Sequence, residues 1–204
     1  DSEIYRDVLS EITGRDFSGY DGWKLYAPIS LPYQESLSVL KSWGVEDPDA
    51  MWSEIARRDY SARRERLGKS IVLYPDAKDF FEHLKGNGTR VCILSNTPEP
   101  IAMMEMRGLG LTRYIEKNDI ICFRYKEPGS KPEPWAIKEM QQRHGIPPER
   151  TLMVGDSDID VISGRSAGAA TAQLFRDGRH EYHHHGLGPD IECENLMELL
   201  EAIE

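Results

Sequence analysis

From about Lys69 onward, short apolar runs alternate with amphipathic stretches. That alternation restricts the fold more than any other feature of the chain, because it is the pattern of parallel strands joined by crossover helices. Residues 76–85 read as a helix with Phe80, Phe81 and Leu84 on one face, and residues 90–95, carrying Val91, Cys92, Ile93 and Leu94 in succession, as a fully buried strand. A helix over 98–107, a strand over 120–123 and a helix over 134–144 ending at Gly145 follow. A buried strand over 152–155, a helix over 159–167, a strand over 171–174 and a closing helix over 195–203 complete the series. The implied fold class is α/β, with a Rossmann-like doubly wound parallel sheet as core.

Residues 14–68 follow another rule. Strand patterns vanish, Leu37, Leu40 and Trp43 fall near helical spacing, and Pro48 after Asp47 opens a long helix that Gly68 stops. The expected organisation is a core of residues 1–13 and 69–204 with a helical insert over 14–68. A length of 204 residues suits one large domain with such an insert, and 39% hydrophobic with 29% charged residues is a globular composition. Twenty-five Lys and Arg against 35 Asp and Glu give a net charge of -10, which argues against nucleic acid and anionic membranes as partners. Three cysteines, Cys92, Cys122 and Cys193, sit in apolar runs. An odd number of such thiols is expected to be buried and reduced, in the cytoplasm. No apolar run approaches the ~20 residues of a spanning helix.

In open α/β sheets, ligands gather beyond the carboxyl ends of the strands, where helix N-termini point inward. Three segments fall there: Ser95-Asn96-Thr97, Gly129-Ser130-Lys131-Pro132-Glu133-Pro134, and Gly155-Asp156-Ser157-Asp158-Ile159-Asp160. Singly each has an ordinary explanation: a turn, a solvated lysine, and a helix start with Asp158 as N-cap. Three carboxylates within five residues nevertheless repel one another unless a cation or a helix terminus compensates. An EF-hand loop starting at Asp156 fails, since Val161 stands where Gly is required and Ala167 where Glu is required.

Taken in order, Ser95, then Lys131-Pro132-Glu133-Pro134, then Gly155-Asp156 with Asp160 and the later Ala167-Gly168, the segments resemble the second, third and fourth motifs of the haloacid dehalogenase superfamily. The resemblance runs from residue 69 to about 200, and the helical insert is similar to that family's cap. It implies a Mg²⁺-dependent phosphatase acting on a small phosphorylated metabolite through an aspartyl-phosphate. Ser95 and Asn96 would bind the phosphoryl group, Lys131 would set a positive charge between nucleophile and phosphate, Asp156 would hold the metal, and Asp160 would hold its water shell or orient Lys131. A haloacid dehalogenase, a sugar-phosphate mutase and a catalytically inactive binding protein are the alternatives; Gly155-Asp156 argues against the first, which needs no metal carboxylate there.

The family's first motif, D-x-D-G, supplies nucleophile and acid/base, and no such run occurs in the 204 residues. The expectation is a nucleophile Asp on a segment of roughly ten residues upstream of Asp1; a chain that truly begins at Asp1 would be inactive. Two further features have plain explanations. His180, His183, His184 and His185 are expected to form a solvated loop rather than a metal site. Arg57, Arg58, Arg63, Arg64 and Arg66 are expected on an exposed helix face with Glu54 and Glu65 as partners, the alternative being a grip on an anionic substrate.

Overall fold

The computed structural model describes residues 2–20, 22–176 and 188–203, so the His180 to His185 segment lies outside the described residues. The chain forms two compact units: residues 1–72, 95–111 and 121–130, and residues 73–94, 112–120 and 131–204.

The first unit is helical. It holds α1 (Ser2–Thr13), α2 (Gly22–Ser30), α3 (Tyr33–Ser42), α4 (Pro48–Arg66) and α6 (Glu99–Gly108). The start of α4 is dictated locally: Pro48 occupies the first turn, where a missing N–H costs nothing, and an Asp47 carboxylate oxygen accepts from the Ala50 N–H at 2.9 Å. Tyr5, Val8 and Leu9 of α1 are buried in one cluster with Phe17, Leu25, Leu40, Met51, Trp52 and Ile55. By packing, α1 therefore goes with the helices that follow it, whereas the sequence pattern assigned residues 1–13 to the α/β part. An amphipathic helix shows which face is apolar, not what it will pack against.

The second unit is α/β, with three-stranded parallel sheet order β3 (Leu152–Gly155), β4 (Ala170–Leu174), β5 (Ile191–Cys193). Strand periodicity of two sorts β3 onto opposite faces. Leu152 and Val154 pack with Phe80 and Leu84 of α5 (Ala77–Gly86) and with Leu199 and Leu200 of α9 (Leu196–Ile203). Met153 packs the other way, with Ile137 of α7 (Trp135–His144) and with Ala167 behind α8 (Asp158–Ser166). Helices on both faces make this a doubly wound layer. Gln173 pairs in register with Gly155.

β1 (Ile93–Ser95) and β2 (Ile120–Cys122) pair in a separate two-stranded sheet. Residues 90–95 and 152–155, expected as fully buried strands, are mostly half-buried, Met153 excepted. Their position explains this: among the described residues no strand covers the free edge of β3 or a second edge of β1, so each keeps one flank open. The cysteines are free thiols, but only Cys193 is fully buried; Cys92 and Cys122 are half-buried. Among the described residues no helix is long and apolar enough to cross a membrane.

Candidate active site

Lys131 and Asp160, 29 residues apart in sequence, meet: Lys131 Nζ donates to Asp160 Oδ1 at 2.5 Å, with the two side chains 12% and 5% exposed. The other oxygen of Asp160 is engaged too. Oδ2 accepts from the Ser157 hydroxyl at 2.7 Å and from the Ser157 backbone N–H at 3.2 Å. Ser157, not Asp158, is the N-cap of α8, and Asp160 answers it from the third helical position. The cap moved because Asp158 already has helical geometry as the first residue of α8. Asp160 thus holds Lys131 through one oxygen and Ser157 through the other.

Gly155 makes the arrangement sterically feasible. A Cβ at that position would lie 2.4 Å from Asp160 Cβ and 2.2 Å from Asp160 Cγ, so only glycine lets the first turn of α8 close over the end of β3. Asp156 follows with an exposed side chain. Its backbone carbonyl accepts from Gln173 Nε2 at 3.5 Å, and Gln173 is fully buried. Sequence reading passed over Gln173; its signal was an amide inside the apolar run Thr171-Ala172-Gln173-Leu174. The loop is thus supported from the neighbouring strand.

Asp156 is an exposed carboxylate at the end of β3, and an oxygen ligand of this kind suits Mg²⁺, which takes one or two carboxylates and keeps several waters.

Ser95 and Asn96 belong to the first unit. Ser95 Oγ accepts from the Thr97 N–H at 3.0 Å, leaving the hydroxyl hydrogen to donate. Their carbonyls accept from the N–H groups of Phe123 and Tyr125 at 2.9 and 2.8 Å. The turn is thereby fixed at both residues.

The arginines of α4 are largely spent on structure. Arg57 and Arg58 pair with Glu54, Arg58 also with Glu11. Arg63 Nε donates to Asp59 at 2.9 Å and its NH1 to Glu105 at 3.1 Å. Asp59 is buried and also accepts from Tyr125 Oη at 2.7 Å; burial and then this bond push the Tyr125 hydroxyl far above its usual pKa. Glu54 is thus a partner as expected, and Glu11, Asp59 and Glu105 join it. Arg66 Nε donates to the Ala62 carbonyl at 3.3 Å, and Arg66 lines, with Glu3, Ile4, Tyr26 and Glu65, a cleft of about 560 Å³ in the helical unit.

The profile of the haloacid dehalogenase-like hydrolases matches residues 35–168, and the chain belongs to that family. A phosphoglycolate phosphatase of Vibrio parahaemolyticus is 28% identical over 96% of this chain and 82% of its own length. Phosphoglycolate phosphatase 1 of Pseudomonas aeruginosa is 31% identical over 63% of this chain, which spans 46% of that protein. A solved hydrolase structure from Pseudomonas syringae superposes with a TM-score of 0.70 at 19% identity, covering 100% of this chain and 91% of that one. The fold is therefore the Rossmann-like α/β fold of the haloacid dehalogenase-like hydrolases that the sequence implied, and these sequence relatives are phosphoglycolate phosphatases.

Proposed function

We propose that the protein is a Mg²⁺-dependent phosphatase that hydrolyses a small phosphorylated metabolite through an aspartyl-phosphate. The observation that carries this reading is the Lys131–Asp160 pair at the capped start of α8, whose Ser157 cap directly follows the exposed Asp156. Phosphoryl transfer spreads negative charge over the equatorial oxygens, so catalysis is mainly positioning and electrostatic stabilisation. Lys131 supplies a compact charge held in one orientation by Asp160. Ser95 donates its hydroxyl hydrogen to a phosphoryl oxygen, and Asn96 assists. Asp156 with waters would hold Mg²⁺, which when bound neutralises charge on the phosphoryl group.

In the first step a carboxylate oxygen bonds to phosphorus, the P–O ester bond breaks, and the leaving oxygen takes a proton. In the second, water cleaves the acyl phosphate and releases inorganic phosphate. The nucleophile of that scheme is absent from these 204 residues as a D-x-D-G run. The names of the relatives point to phosphoglycolate, a small phosphomonoester carrying a second anionic group, as first substrate to try.

The test is an assay of the protein with its natural amino terminus, on phosphoglycolate and para-nitrophenyl phosphate, with Mg²⁺ and with EDTA. Turnover that requires Mg²⁺ and falls away in EDTA is the expected result. Activity indifferent to EDTA would remove the metal from the scheme, and phosphate binding without turnover would favour an inactive binding protein.

A further inference from the structure

A second cluster of ligating side chains lies in the α/β unit, independent of the site above. Cys92 immediately precedes β1, Asp119 closes the short turn before β2, and His144 is the last residue of α7. Their Sγ, carboxylate and imidazole ligand atoms all lie within 4.8 Å of one another. Asp119 is nearly completely buried, with a side chain 3% exposed. Its Oδ2 accepts from Arg90 NH1 at 2.7 Å, but its Oδ1 has no hydrogen-bond partner. His144 Nε2 sits 2.7 Å from that oxygen and likewise forms no hydrogen bond. The two atoms are as close as a hydrogen bond would bring them, yet are not aligned as one.

A buried carboxylate oxygen and an imidazole nitrogen left in this state are each costly, and a shared cation satisfies both. We infer that Cys92, Asp119 and His144 form a three-ligand site for a borderline-soft divalent transition metal of the Zn²⁺ type. Thiolate, imidazole and carboxylate are donors for such an ion, whereas Mg²⁺ takes oxygen alone. Ligand bonds of about 2.0–2.3 Å at tetrahedral angles put ligand atoms about 3.3–3.8 Å apart. The Asp119–His144 contact has only to open by about half an ångström to reach that spacing. Arg90, fixed on Oδ2, orients Asp119 to offer one oxygen, the outer-shell arrangement typical of ligating carboxylates. Cys92 and His144 are half-buried, which leaves a fourth position for water. The ion would clasp three segments far apart in sequence, and binding would release the Cys92 proton.

The experiment titrates purified metal-free protein with Co²⁺ and records absorption, then measures Zn²⁺ affinity by chelator competition. A thiolate-to-cobalt charge-transfer band saturating at one equivalent is expected, abolished in Cys92→Ser and retained in a Cys122→Ser/Cys193→Ser variant, whose only thiol is Cys92. Arg90→Gln should weaken Zn²⁺ binding about 10–100-fold. The double variant and the wild type keep the test decisive if Cys92→Ser does not fold. Absence of the band in wild type overturns the inference even if cobalt binds, because the histidines of residues 180–185 can hold it without a thiolate signature. A band that survives Cys92→Ser overturns it as well.

Discussion

Gly155→Ala isolates the steric condition on which the candidate site rests. The added methyl would lie 2.4 Å from Asp160 Cβ and 2.2 Å from Asp160 Cγ, against 3.4–4 Å for ordinary contact. Truncating Asp160 to alanine would not relieve it, because the Cβ remains, so the start of α8 has to move by about 1 Å from the end of β3. A shift of that size misaligns the 2.5 Å Lys131–Asp160 bond and the two Ser157 bonds together. Overpacking of this kind costs about 1–3 kcal/mol of stability, and a 1 Å displacement of a catalytic group costs about 100-fold in kcat. Gly88→Ala supplies the comparison: Gly88 has φ +71 with nothing within 4 Å, so its methyl adds only backbone strain of about 1–2 kcal/mol. Urea denaturation and para-nitrophenyl phosphate turnover well below the unfolding temperature separate the two. The reasoning predicts similar destabilisation but a kcat loss in Gly155→Ala alone; wild-type kcat in Gly155→Ala, or equal kcat losses in both, would refute it.

Lys131→Met leaves the buried Asp160 carboxylate without its cation, which costs about 3–5 kcal/mol, and should abolish turnover; Lys131→Arg should not restore it, because the planar guanidinium cannot stand in for a compact ammonium. Arg63→Ala should lower stability by stranding buried Asp59, read in chemical denaturation as a lower midpoint at an unchanged slope. For Asp76, burial raises the carboxyl pKa, but the bonds from Arg176 and from the Leu196 N–H, both 2.7 Å, outweigh it and hold it below the ordinary 3.8. Its stabilising contribution is therefore present above about pH 4 and lost as pH falls through the depressed folded value. Asp76→Asn should lower stability at pH 7 by about 1.5–3 kcal/mol and flatten the acid limb of the denaturation profile. Burial pushes the Cys122 thiol up to about 11, so in metal-free protein its alkylation at neutral pH should be about two orders of magnitude slower than that of free cysteine and should climb with pH.

Local chemistry made much of this protein readable from its sequence. The α4 start at Asp47-Pro48, the strand at 152–155 and the helix ending at Gly145 depend on propensities and caps within a few residues, and the motif order Ser95, Lys131, Asp156, Asp160 carried the family. Choices between partners were not readable, because they depend on what the fold brings together. Only packing assigned α1 to the helical unit and brought Lys131 to Asp160 and Glu105 to Arg63. Only the folded chain brought Cys92, Asp119 and His144 within reach of one another: no spacing encodes a contact between residues 25 or more positions apart, and only the tertiary structure supplies the loop closures that create it.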